Sequence, residues 1–266
     1  MHASGTQPGP SRKVGPTFKD SSHRSSAAEA FARDAVRYNA ARPSYPASLA
    51  QLVGPGIVCD IGAGTGKFTQ LLIDGSRSVY ACDPSEDMAR VFHRELPGVP
   101  VWRATAEATG LSSNSMDALT CAQSWHWVDS AAASAEADRV IRPGGRLVLC
   151  WNTLAVRHPW VLRLSRIMHS GDVQREGFYP RVAAPWQLER EMREEWLHPI
   201  AVEDCFELMA TRSYWLKANG RTRAKMETNL SWYLYERLGF DPGDTIPLPY
   251  RTDAFVYSRS PLRVGS

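Results

Sequence analysis

The chain has no run approaching the ~20 apolar residues that a bilayer-spanning helix requires. Its opening, MHASGTQPGPSRK, also lacks the apolar stretch of a secretory leader. It has no CxxC pair. The five cysteines, Cys59, Cys82, Cys121, Cys150 and Cys205, are widely spaced and odd in number. That excludes a disulfide scaffold and predicts small buried hydrophobes in a reducing compartment. No cluster of His, Cys, Asp or Glu has metal-ligand spacing, so no metal is expected. There is no internal repeat. These absences together predict a cytoplasmic protein with no membrane partner.

An excess of charge on the body of the chain is missing too. The formal net charge is +3. Residues 1–25 carry Arg12, Lys13, Lys19 and Arg24 against Asp20, which accounts for all of it. A nucleic-acid binder places its excess positive charge on the folded surface, so no nucleic-acid partner is expected. Residues 1–25 are rich in Ser, Gly and Pro and read as a disordered basic tail. The remaining residues, 26–266, are too few for two full domains at roughly 150 residues each. They are read as one domain, monomeric or homodimeric.

What is present is alternation. A helix is predicted from Ser26 until Pro43 stops it, and a short helix over 47–53. Strands are predicted over 57–61, 78–83, 99–104, 116–122 and 146–151, with helices over 67–74, 86–95 and 130–140 between them. Strands that are nearly continuous apolar runs, separated by helices, mean an α/β fold: a parallel sheet covered on both faces. After Asn152 the pattern changes. Residues 153–200 read as helical, rich in arginine and tryptophan, and are expected to form a helical substrate cap inserted before the last two strands. The chain is then predicted to form a strand over 206–212, a helix over 219–238 and a final strand over 253–258.

The segment carrying chemistry is Cys59-Asp60-Ile61-Gly62-Ala63-Gly64-Thr65-Gly66-Lys67, between a strand and a helix. Glycines there allow a sharp turn and a close approach to a ligand at a helix start. A P-loop would need Gly where Ile61 stands and Ser or Thr where Phe68 stands. A dinucleotide loop would place its third glycine one residue later. An acidic residue at the loop entrance repels phosphate and suits a cation. Asp83 ends the next strand, where a carboxylate can accept hydrogen bonds from ribose hydroxyls. The pair implies an adenosine-type ligand without phosphate. A nicotinamide dehydrogenase is the disfavoured alternative.

Six stretches complete the pattern: Tyr38-x-x-x-Arg42-Pro43-x-Tyr45-Pro46, VCDIGAGTGKFT, Tyr80-x-Cys82-Asp83-Pro84-Ser85, Ala106-Glu107, Gln123-x-x-His126-Trp127, and Arg139-Val140-Ile141-Arg142-Pro143-Gly144-Gly145. With these, the sequence resembles the class I S-adenosylmethionine-dependent methyltransferases. More narrowly it is similar to the type-11 subgroup that includes trans-aconitate methyltransferase. The resemblance implies a Rossmann-like seven-stranded sheet with helices on both faces and the last strand antiparallel, with the helical cap as an insertion. It implies S-adenosyl-L-methionine as cofactor and S-adenosyl-L-homocysteine as product. It also implies roles. Asp60 and the backbone of Gly62, Ala63, Gly64 and Gly66 would face the methionyl part. Asp83 would hold the ribose, and Pro84 and Met88 are set among the cofactor-binding residues. Ala106 and Glu107 would line the adenine, Gln123 would close the methionyl end, and Tyr38 and Arg42 would cover the cofactor carboxylate.

Methyl transfer to a small organic acceptor needs alignment and exclusion of water more than acid or base. Only a phenol, alcohol or ammonium acceptor needs a base. His126 is the candidate base or substrate anchor. Trp125, Trp127 and Trp151 are candidate pocket walls, as are Trp160, Trp186 and Trp196, and Arg157, Arg163 or Arg181 could clamp a carboxylate. O-methylation of a carboxylate is the favoured reaction. Methylation of a hydroxyl or nitrogen, and a non-catalytic scaffold that only binds the cofactor, are the alternatives.

Overall fold

The computed structural model describes residues 35–170 and 177–259. The predicted tail and the 26–34 part of the first predicted helix lie outside the described residues. Seven strands form one sheet: β1 (Gly56–Ile61), β2 (Arg77–Cys82), β3 (Val101–Trp102), β4 (Met116–Ala122), β5 (Ile141–Leu154), β6 (Trp186–Ala201) and β7 (Thr245–Arg259). Their order is β3-β2-β1-β4-β5-β7-β6. The first five are parallel, and β7 runs antiparallel to both β5 and β6. Helices α1 (Ala35–Ala41), α2 (Ala50–Val53), α3 (Thr69–Leu72), α4 (Glu86–Glu95), α5 (Ser130–Val140) and α6 (Pro159–Ile167) accompany the first five strands. After β6 come α7 (Asp204–Ala210), α8 (Ser213–Lys217) and α9 (Gly220–Ser231), which continues as a π-helical turn over Trp232–Arg237.

The sheet is apolar on both faces because both are covered. On one face Cys59, Ile61, Leu119, Cys121, Leu149 and Trp151 pack on Ala133, Ala137 and Val140 of α5. On the other, Val58, Ala118, Val148 and Cys150 meet Leu49, Leu52, Val53, Phe68 and Leu72. All five cysteines are buried and free. The α4 helix begins where Ser85 accepts a hydrogen bond from the Met88 amide, with Glu86 and Asp87 in its first turn, so cap and dipole act together.

The second half departs from its predicted elements. Within 153–200 the helix α6 covers only Pro159–Ile167, and Trp186–Ala201 is a strand. Leu188, Met192, Trp196 and Ile200 recur every four residues, a spacing that suits a helical stripe and a strand face equally. Met192, Trp196 and Ile200 stand opposite Ala254, Tyr250 and Ile246, so pairing with the long apolar strand β7 decides it over helix propensity. Conversely, the predicted strand over 206–212 is helix α7, whose Cys205, Leu208 and Met209 are buried at helical spacing. A helical unit does exist, but elsewhere: α6 packs with α7, α8, α9 and the ends of β6 and β7 in a second core of Leu164, Met168, Leu208, Leu230, Leu234 and Leu248. Its main part lies between the last two strands rather than before them.

Candidate active site

The glycine loop leaves β1 at the carboxyl edge of the sheet. Gly62, Gly64 and Gly66 have φ of 63°, 57° and 90°, a region that side chains rarely enter. At Gly62 a Cβ would lie 2.5 Å from Ser124 Oγ, so the loop also lies tightly against the end of β4. At Gly64 nothing stands within 4 Å of that position, so the loop opens there.

Two buried aspartates flank this loop and differ in what fills their oxygens. Asp60 accepts from Thr69 Oγ1 at 2.6 Å and from Thr120 Oγ1 at 2.8 Å. Burial pushes its carboxyl up to about 7, against the pull of the two hydroxyls. Asp60 thus ties β1 to α3 and β4. Asp83 accepts from the Gly64 amide at 2.8 Å and the Ser85 amide at 2.9 Å. Burial raises its carboxyl and these two amides oppose the shift. A carboxylate has about four lone-pair sites, so Asp83 retains capacity for further donors at the open side of the loop.

The other predicted cofactor residues surround the same edge. Met88 is buried with Ala35 and Val91 against Tyr38, while Pro84 is exposed. Ala106 is buried, and Glu107 Oε1 accepts from the Asp129 amide at 2.8 Å. Tyr38 lies under the Arg42 guanidinium, 5.1 Å from its ring centre. Arg42 itself donates to Thr211 Oγ1 and to the Thr211 carbonyl. Thr65 Oγ1 donates to Asn39 Oδ1 at 2.8 Å, which brings α1 onto the glycine loop. Arg42 therefore also joins the segment after α1 to the end of α7.

Gln123 has φ of 57° and donates from Nε2 to the Asn152 carbonyl at 2.6 Å. Its Oε1 is buried and finds no hydrogen-bond partner among the described residues. A buried orphan acceptor is costly, and here it lies at the edge shared by the glycine loop and β4. S-adenosylmethionine is a group these residues fit. Its ammonium would suit the orphan acceptor Gln123 Oε1, its ribose hydroxyls the remaining capacity of Asp83, and its chain the open space at Gly64.

His126 sits on the short 3₁₀ turn Trp125–Trp127. Its Nδ1 accepts from Trp151 Nε1 at 3.2 Å, and its ring meets that of Trp127 at 4.9 Å. Trp125 and Trp151 are buried in the core rather than lining a wall; Trp125 Nε1 donates to the Arg181 carbonyl at 2.8 Å. Trp186 is likewise buried and bonded to the Ser134 carbonyl. Arg157 pairs with Glu195 at 2.5 Å, and Arg181 is exposed. Sequence reasoning missed two buried polar groups. One joins Asn152 and Thr252. The other joins Arg251 and Asp253, bonded at 2.8 and 2.9 Å with Arg193 3.2 Å from the same carboxylate. The polar letters in the apolar runs WNT and RTDAF were the available signal.

Comparison with known proteins follows the same outline. The family described as "Methyltransferase domain" matches residues 59–149. An uncharacterized methyltransferase of Mycobacterium tuberculosis is 37% identical over 221 residues, covering 81% of this chain and 89% of that protein. An uncharacterized methyltransferase-like protein of Schizosaccharomyces pombe is 34% identical over 146 residues, 52% of this chain and 57% of that protein. The solved structure of a candidate type II methyltransferase from Anaeromyxobacter dehalogenans superposes with a TM-score of 0.63 at 24% identity, covering 82% of this chain and 97% of that one.

Proposed function

Because the chain belongs to the class I S-adenosylmethionine-dependent methyltransferases, we propose that it transfers the methyl group to an oxygen of a small organic acceptor, and that this oxygen belongs to a carboxylate. The observation that carries this reading is the Trp151 Nε1 donation to His126 Nδ1. A neutral imidazole has one acceptor and one donor nitrogen. With Nδ1 accepting, the proton of the neutral ring is at Nε2, so in this tautomer neither nitrogen keeps a lone pair for general-base work. A donor anchors an acceptor oxygen that is already ionised. A carboxylate is such an oxygen at neutral pH and needs no base, whereas a phenol or alcohol does.

When bound, the cofactor would supply an activated sulfonium methyl to the attacking oxygen, with S-adenosylhomocysteine as the leaving group. This chain's residues do the rest. Asp83 would hold the ribose hydroxyls, Gln123 Oε1 would accept from the ammonium, and the Gly62–Gly66 backbone permits close approach. Ala106, Glu107, Pro84 and Met88 border the adenosine end, with Tyr38 and Arg42 over the opposite end. His126 orients the acceptor, with Trp127 beside it, and the helical unit of α6 to α9 excludes water from the acceptor side. No helix among the described residues is long and apolar enough to cross a membrane. The acceptor is a small molecule met in the cytoplasm by a monomer or homodimer, without nucleic acid.

The test is the pH profile of kcat/KM for the wild type and for His126→Gln with whichever acceptor turns over. Loss of one hydrogen bond to a charged oxygen predicts a fall of about tenfold or more, with the shape of the profile retained between about pH 6 and 9. Disappearance in the variant of the acidic limb, the fall in rate as the imidazole becomes protonated, would mean that His126 removes a proton, and the acceptor would then be a hydroxyl.

A further inference from the structure

The carbonyl that Gln123 holds belongs to Asn152, whose side chain is the centre of a directed chain of hydrogen bonds. Trp196 Nε1 donates to Thr252 Oγ1 at 2.9 Å. Thr252 Oγ1 donates to Asn152 Oδ1 at 2.6 Å. Asn152 Nδ2 donates to the Ser44 carbonyl at 2.8 Å. The main-chain carbonyl of Asn152 accepts from Gln123 Nε2 at 2.6 Å. Asn152 and Thr252 are 3% and 0% exposed, so water cannot substitute for these partners. A single residue therefore meets β4 through Gln123, β7 through Thr252, β6 through Trp196 at one remove, and the segment that follows α1 through Ser44.

We propose that Asn152 is the positioning residue for the methionyl end of the cofactor. Its main-chain carbonyl occupies Gln123 Nε2 and so leaves the buried Oε1 as the atom without a partner, and its side chain pins the Arg42–Pro46 segment to the sheet through the Ser44 carbonyl. This rests on the cofactor reading above. The direction of the chain explains its composition. The Thr252 hydroxyl has one proton; because its oxygen accepts from the indole, that proton goes to Asn152 Oδ1. The amide of Asn152 then faces the Ser44 carbonyl with a donor. An orphaned acceptor is left at one point only, Gln123 Oε1, where an ammonium would complete the set. A network satisfied everywhere but at a ligand group is stiff, and stiffness at the binding atom reduces the ordering cost of binding.

The experiment compares two ligands by calorimetry. S-adenosylhomocysteine has the amino-acid end, and 5′-methylthioadenosine has the adenosine and sulfur without it. Gln123→Leu sets the reference pattern. Asn152→Ala keeps the main-chain carbonyl but removes the side-chain bonds that fix it, so a smaller loss of the same kind is expected: S-adenosylhomocysteine bound about threefold to tenfold more weakly, methylthioadenosine within about twofold, and the double variant no weaker than Gln123→Leu alone, as two members of one unit require. Thr252→Val should give a smaller loss in the same sense, and Thr252→Ser, which keeps the hydroxyl, should restore the wild-type ratio of the two affinities. The Thr252 pair decides the matter if Asn152→Ala does not fold. Equal losses for both ligands, or an unchanged ratio, would overturn the proposal by reducing Asn152 to a structural residue. If the wild type bound neither ligand, the cofactor reading itself would fall, and the proposal with it.

Discussion

Around Asp83 the site is held by main-chain groups, while around His126 it is held by indole rings. On the cofactor side the Gly64 and Ser85 amides fix Asp83, and positive φ at Gly62, Gly64 and Gln123 sets the loop and the turn. Around His126, Trp151 Nε1 orients the imidazole and Trp125 Nε1 holds the Arg181 carbonyl. Main-chain bonds survive most side-chain changes and can serve any member of a family with one cofactor. An indole N–H reaching a chosen side chain is lost in one substitution. The surroundings of Asp83 are thus set by the backbone, and those of His126 by single side-chain donors that one substitution removes.

The largest expected effect lies beneath the cofactor side and is a pH dependence of stability. Asp60 is raised to about 7 in the folded chain, against about 3.9 unfolded. Between those values the folded state keeps a proton that the unfolded state has lost, so stability falls as pH rises from about 4 to about 7 and is level beyond. The full difference amounts to up to ~4 kcal/mol. Thermal unfolding of the wild type and Asp60→Asn across this range should show the slope flattened in the variant. An identical slope would place the titration elsewhere.

Next comes Asp83→Ala. Each hydrogen bond to a charged group contributes about 1.5–3 kcal/mol, so S-adenosylhomocysteine affinity should fall by roughly tenfold to a few hundredfold. Circular dichroism should remain that of the wild type. Unchanged affinity would mean that the ribose is held by other groups. The smallest effect sharpens the comparison from the other side. Trp151→Phe keeps an aromatic ring in the core and removes only the donor to His126. Turnover should fall by about tenfold or less, as one neutral hydrogen bond predicts, while S-adenosylhomocysteine binds as before. A loss of cofactor affinity in that variant would show that the two sides are not held separately.

The same division explains what the sequence discloses. Glycine spacing, Asp83 at a strand end and the capped helix α4 are local features, and each is recorded by neighbouring residues. The bounds of α4, β4 and α5 match the predicted 86–95, 116–122 and 130–140. The bonds that hold His126 and Asn152 join residues 25, 56, 100 and 108 positions apart. No periodicity encodes such pairs, and the tryptophans read as pocket wall are partly core as a result. The strand β6 was hidden for a related reason. Its Glu and Arg residues form good helical pairs, and only the 15-residue strand β7 beside it makes extension the better choice.

The central claim is that this methyltransferase acts on a carboxylate oxygen without a base. The most direct measurement uses methyl-labelled S-adenosylmethionine with a panel of small carboxylic acids, phenols and amines, followed by alkali treatment of the products. Methyl esters release labelled methanol in alkali, whereas methyl ethers and N-methyl products do not. The account predicts that the label appears in alkali-released methanol from an acid in the panel. Label retained in an alkali-stable product, from a phenol or an amine alone, would contradict it.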